Sequence, residues 1–158
     1  MTDYLSQYLF QSNQQKQKKR AFISFDFDND IQLKNLLSGQ AKNPDTPFFY
    51  DDWSVKEPFP QSTWKSDVRT KIKQCDFLMV LIGQNTYQCN GVLEEIKIAN
   101  EENIPSFGVY SQSVVFYQNG QGYINVPQGL DKRYFEWTWP NLTAAINSLN
   151  SYLPPIYG

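Results

Sequence analysis

The chain has 158 residues, a net charge of −2, aromatic residues at 16% and no histidine. One domain with a real core is the expectation at this length. The charge gives no field that would draw the chain to nucleic acid or to a membrane surface. The missing histidine excludes Ser-His-Asp and Cys-His catalysis and every His-ligated metal site. Two cysteines, Cys75 and Cys89, are too few for a zinc cluster and too far apart for a CxxC redox pair, so both are read as reduced thiols, with Cys75 in the core. Chemistry must then come from carboxylates, hydroxyls, amides, lysines or aromatic rings. No apolar run approaches the ~20 residues of a membrane span, and the N-terminus lacks the order of a secretory signal. A soluble, cytoplasmic protein is expected.

In chain order, residues 1–19 read as an extension: Leu5, Tyr8 and Leu9 suit a short amphipathic turn, and SNQQKQKK suits a polar linker. The domain proper is placed at 20–158. AFISF (21–25) is a buried type of strand. DFDND follows, with Asp28, Asn29 or Asp30 able to cap a helix striped by Ile31, Leu33, Leu36 and Leu37. FFYDD (48–52) is a second short strand, and WSVKEPFPQS a long loop. Ser62 or Thr63 caps a helix in which Trp64, Val68 and Ile72 recur every four residues. FLMVLIG (77–83) is the most apolar strand, as a central parallel strand should be. A helix begins near Asn90. PSFGVY (105–110) is a fourth strand, 111–133 is irregular with QNGQG as a tight turn, and YFEW (134–137) is a fifth strand. Pro140 suits the first turn of a last helix striped by Leu142, Ile146, Leu149 and Tyr152. Strand and helix alternate about five times, which predicts an α/β fold with a central parallel sheet covered on both sides.

The stretch QCNGVLEEIKIANEEN (88–103) carries four glutamates. At ~100° per residue, with Val92 at zero, Ile96, Ala99 and Leu93 define the buried side, while Glu94 and Glu101 face water. Glu95 falls near 300°, on the border. Glu102 falls near 280° but ~10 Å further along the axis. Ligands of such sheets bind outside the carboxyl ends of the strands, where strand order reverses. Glu95, early in its helix, stays near that edge. The helix N-terminus favours a charged carboxylate, so Glu95 is expected to be ionised near neutral pH. On geometry alone, a partly buried capping acid is the other reading of Glu95. The same edge collects Phe25, Asp26, Asp51, Asp52, Trp53, Gly83, Gln84, Asn85, Thr86 and Tyr87. A flat, hydroxyl-rich ligand suits it. The acids also suit a magnesium pocket like that of two-component receiver domains, but LIGQN has no aspartate where a receiver needs one, and no metal site is assigned.

AFISF with its acid-capped helix, then FFYDDWS, then FLMVLIGQNTYQCNGVLEEIKIA together resemble the TIR domain. They are most similar to the TIR-like branch that includes the Thoeris anti-phage proteins. Gly83 and Thr86 match that branch's Gly-x-x-Thr turn, Val92 its valine, and Glu95-Ile96 its Glu-Ile pair. The resemblance covers roughly residues 20–110. It implies a flavodoxin-like, three-layer TIR sandwich and an NAD+-cleaving enzyme that releases nicotinamide and forms ADP-ribose or a cyclic isomer used as a signal in antiviral defence. It implies Glu95 as the catalytic residue. Phe25, Asp26, Trp53, Gly83, Thr86 and Tyr87 are the substrate-binding candidates. Phe25 and Trp53 would stack on a ring, and Asp26 and Thr86 would bind polar groups. No cofactor beyond NAD+ as substrate is implied. The implied partners are further copies of the chain, with WSVKEPFPQS completing a neighbour's site, a phage-derived trigger, and an effector reached through a diffusible nucleotide. One departure stands out: Gly91 occupies the family's tryptophan position, so either Trp53 or Tyr87 substitutes for its bulk or the site is built differently. The alternatives are a non-catalytic TIR-like interaction module and a nucleoside deoxyribosyltransferase-like enzyme, which also sets a glutamate beside a sugar.

Overall fold

The computed structural model describes residues 18–50 and 63–149. Its main sheet has five strands: β1 (Lys19–Ser24), β2 (Phe48–Tyr50), β3 (Phe77–Ile82), β4 (Ser106–Tyr110) and β7 (Tyr134–Glu136). They lie in the order β2-β1-β3-β4-β7, and every pairing is parallel. The expected α/β architecture is therefore present, and all five strands fall where the apolar runs placed them. β3 is buried along its whole length, which is why it reads as an unbroken apolar run rather than an alternating one. β5 (Phe116–Gln118) and β6 (Gln121–Tyr123) form a separate antiparallel hairpin. The expected tight turn joins them, with Asn119 and Gly120 both at positive φ. The two short strands flanking that turn are absent from the sequence reading. Among the described residues, no helix is long and apolar enough to cross a membrane.

Helices cover both faces. On one face α2 (Trp64–Lys73) and α3 (Asn90–Glu101) pack Trp64, Val68, Ile72, Val92 and Ile96 onto Phe22, Leu78, Val80 and Ile82. On the other, α1 (Ile31–Ala41) and α4 (Trp139–Ser148) pack Leu37, Leu142 and Ile146 onto Ala21, Ile23, Met79 and Leu81. The alternation of strand residues between the two layers is the period-2 pleat. Aromatic residues run across this second layer: Phe48 meets Phe77 edge-on at 6.1 Å, Phe77 stacks on Phe107 at 5.4 Å, and Phe107 stacks on Phe135 at 5.3 Å. Part of the high aromatic content is thus core, while Phe27, Phe49, Tyr117 and Trp139 are among the rings left exposed.

The α2 stripe of Trp64, Val68 and Ile72 is buried as expected, and so is Cys75. In α4, Thr138 caps the helix by accepting a hydrogen bond from the Asn141 N–H at 3.2 Å, with Pro140 in the first turn. The α1 stripe is a correction. Only Leu37 is fully buried, while Ile31 and Leu36 are exposed, because the helix meets the sheet over a narrower arc than its four apolar residues span. The expectations for residues 1–17, Asp51, Asp52, the 53–62 loop with Trp53 and Ser62, and Tyr152 lie outside the described residues.

Candidate functional site

Strand order reverses between β1 and β3: the chain leaves β1 toward β2 on one side, and β3 leads to β4 on the other. This switch point is where the carboxyl ends of a parallel sheet open a crevice. β1 ends here at Ser24, opposite Val80, and β3 ends at Ile82, with Gly83 next in the chain. α3 begins two turns of chain later, at Asn90.

Glu95 reaches this point. It is buried, with 7% of its surface exposed, and its Oε1 accepts a hydrogen bond from the Ser24 hydroxyl at 2.8 Å. Glu101 is exposed as expected, while Glu94, expected to face water, keeps only 19% of its side chain exposed. Glu94 pairs with Lys65 at 3.3 Å, and Arg69 bridges Glu101 at 3.4 Å and Glu102 at 2.6 Å. Only Glu95 is turned toward the strand ends. Its ionisation departs from the expectation. Burial pushes its carboxyl from 4.5 up to about 8, against the opposing pull of the Ser24 hydrogen bond. The side chain is therefore protonated near neutral pH in the unliganded chain. The favourable end of α3 is outweighed by removal from water, since a helix terminus contributes only ~0.3–1 kcal/mol in most settings.

The other candidates divide. Asp26 is buried beside the end of β1 and accepts a hydrogen bond from Asn29 Nδ2 at 2.7 Å. Phe25, one residue earlier, belongs to the opposite layer with α1 and α4, where its ring lies 5.9 Å from Phe27. The pleat that turns Ser24 toward Glu95 turns Phe25 away, so the structure does not bring Phe25 to the Glu95 side. Thr86 is fully buried. Its hydroxyl accepts from the Gly83 N–H at 2.7 Å and donates to Asp30 Oδ2 at 3.2 Å. It closes the turn after β3, so its polar capacity is already engaged by the protein. Tyr87, in the 3-10 turn Thr86–Gln88, is half-exposed.

Asp30 was legible only as a helix cap. It does occupy the N-cap position of α1, but its side chain makes no capping bond. It turns to Thr86 instead, and burial raises its carboxyl above the ordinary range, with the Thr86 bond opposing and the Asp26 charge adding. Asp30 packs so closely on Gly83 that a Cβ there would overlap both carboxylate oxygens. Gly83→Ala is therefore expected to break the Asp30–Thr86 contact and destabilise the chain by about 1–3 kcal/mol, measured by urea unfolding. An unchanged midpoint would show that the turn does not need glycine.

Gly91 leaves room on α3 that is filled from α2: a Cβ at Gly91 would stand 4.0 Å from the Trp64 ring. Trp64, buried in the same layer, supplies the indole bulk beside the first turn of α3. Tyr87 keeps a half-exposed position, and Trp53 lies outside the described residues. A shallow depression of about 520 Å³ lies along α3 and Gln128–Gly129, lined by Leu93, Lys97 and Asn100, and Glu95 is not among its walls. Among the described residues, no group of three acidic or cysteine side chains is arranged to hold a metal ion.

The model of the TIR-like domain of the Thoeris protein ThsB matches residues 22–115, more than half of the chain. A search of curated proteins gave no match. The crystal structure of a prokaryotic SEFIR domain is similar at 15% identity and a TM-score of 0.41, covering 84% of this chain and 90% of that one. The matched residues run from β1 through α3 to the turn after β4, and so include Ser24, Asp30, Gly83, Thr86 and Glu95. The chain belongs to the Thoeris ThsB TIR-like domain family.

Proposed function

We propose that this TIR-like domain cleaves NAD+ at the bond between nicotinamide and ribose, as a signalling step in anti-phage defence, with Glu95 as the catalytic residue. The observation that carries this reading is a near-buried carboxyl at the β1/β3 switch point, held by Ser24. In the reaction the electron pair of the C–N bond leaves with nicotinamide, and the ribose carbon gains oxocarbenium-like charge. A carboxylate beside that carbon stabilises the charge. Water attack then gives ADP-ribose and a proton; attack by a nucleophilic atom elsewhere in the same molecule closes a ring and releases a proton instead.

The raised carboxyl suits this chemistry. The nicotinamide ring of NAD+ carries a positive charge, and an opposite charge within a few ångströms favours the ionised form of an acid. Substrate binding thus draws a proton off Glu95, and the carboxylate becomes charged where charge is needed. In this reading Asp26, buried just beyond β1, meets a ribose hydroxyl. The test is incubation of the purified chain with NAD+, with and without lysate from phage-infected cells, followed by chromatography for free nicotinamide. Release under either condition supports the reading, and none under both overturns it.

A second reading, a non-catalytic interaction module, is favoured by the 7% exposure of Glu95, which is also what a purely structural buried acid would show. It requires self-association that survives Glu95→Gln, with no turnover. Size-exclusion chromatography of that variant beside the nicotinamide assay separates the two.

A further inference from the structure

We propose that Ser24 is the positioning residue for Glu95: its hydroxyl holds the carboxyl at the β1 side of the switch point and supplies the hydrogen bond that favours the charged form during cleavage. The inference rests on the proposed NAD+ cleavage and deepens it, because it names a second residue of the same site.

Ser24 is the only polar side chain within β1 that is fully buried. Its strand neighbours Ala21, Phe22 and Ile23 are apolar and buried. A hydroxyl in such a place costs stability unless it finds a partner. The pleat gives Ser24 the same side as Phe22, which packs with Val92 and Ile96 of α3. Glu95 lies next to Ile96 on that helix, and the Ser24 hydroxyl meets its Oε1 at 2.8 Å. Register fixes the meeting from both sides. Ser24 is pinned opposite Val80 by the β1–β3 ladder, and Glu95 is carried by the packed face of α3. A hydroxyl donating to a carboxylate is a charge-assisted bond, stronger than the same bond to a neutral acid. It therefore favours ionisation, in the direction opposite to burial.

Two other titratable groups gather at this end of β1 and α3. Asp26, just beyond β1, is a second acid. Cys89, at the head of α3, has its thiol pushed up by burial, with Asp26 and Glu95 adding to the shift. Neither supplies a positive charge, which leaves the Ser24 donor as the group that stabilises the Glu95 carboxylate among these neighbours.

The experiment compares wild type, Ser24→Ala and Ser24→Thr. Two readouts are taken: nicotinamide release against pH, and the titration of Glu95 by carbon NMR of 13C-labelled glutamate, assigned by difference from Glu95→Gln. Ser24→Ala is expected to lower kcat near neutral pH about 10–100-fold. KM should change little, the rising limb of the pH profile should move to higher pH, and the Glu95 midpoint should rise with it. Ser24→Thr keeps the donor and should retain the wild-type limb. If Ser24→Thr does not fold, the alanine variant and its NMR titration decide alone. An unchanged limb and midpoint in Ser24→Ala overturns the proposal. If wild type releases no nicotinamide, the enzymatic reading fails by itself. Ser24 is then judged on the NMR midpoint: a rise in Ser24→Ala supports its hold on Glu95, and no rise overturns it.

Discussion

Glu95→Gln is expected to lower nicotinamide release by about 10²–10³-fold, the size of effect seen when one group stabilising transition-state charge is removed. The substitution is closely matched. Gln has the shape of the protonated glutamic acid that the unliganded chain already holds, and its amide oxygen can accept from Ser24 as Oε1 does. What it cannot do is become negative when the cationic ring arrives. The loss therefore reports charge rather than packing. Circular dichroism should show an unchanged fold, and chromatography of nicotinamide gives the rate. Equal release from the two proteins would remove Glu95 from the mechanism.

The same pair of proteins should part company in stability as pH rises. The Glu95 carboxyl titrates at about 8 in the folded chain, against 4.5 as the reference value. Between those two values the folded chain holds a proton that the unfolded chain has released. Unfolding free energy therefore falls with rising pH across that window and levels off above it. The stabilisation is fully present below 4.5 and is lost by the time pH passes about 8. The loss is on the order of 3–5 kcal/mol, or roughly 10 °C in melting temperature for a chain of this size. Gln has no proton to lose, so Glu95→Gln lacks this slope. Cys89 does not confuse the comparison, since its thiol is pushed up from 9.0 chiefly by burial, which both proteins share, so its titration lies above this window. Thermal melts at intervals from pH 5 to pH 9 check the prediction. Glu95→Gln should match wild type at the acid end and melt higher at the alkaline end, and parallel curves would overturn the assignment of a buried, raised carboxyl.

The fold was legible because its strongest signals are local. FLMVLI can be little else than a strand buried on both faces, and the repeat of Trp64, Val68 and Ile72 sets α2 on its packed side. Helical angle alone separated Glu95 from Glu94, Glu101 and Glu102, since position around the axis follows from counting residues. What escaped depends on partners distant in sequence. Whether Glu95 is charged turns on what covers it, and that cover includes a strand 71 residues away. Asp30 looked like a cap because caps are read from neighbours along the chain, whereas its carboxyl goes to Thr86, 56 residues on. Phe25 was grouped with Glu95 because both lie at the strand ends, but adjacent residues in a strand face opposite ways. The parity of Ser24 against Phe25 was the available signal. The role of Trp64 beside Gly91 was hidden for the same reason as Asp30: α2 and α3 meet only in three dimensions.

The all-parallel arrangement also governs how the chain reaches its native state. Ala21 must find Phe77 before β1 and β3 can zip together, and Leu78 must find Ser106. No pair of strands in the main sheet can assemble as a local hairpin, so loop-closure entropy is lost before any ladder returns it. Refolding should be slower than that of a helical bundle of similar length. The Ser24–Glu95 contact, which joins the first strand to α3, can form only after that long-range search has succeeded, so this buried contact is assembled late.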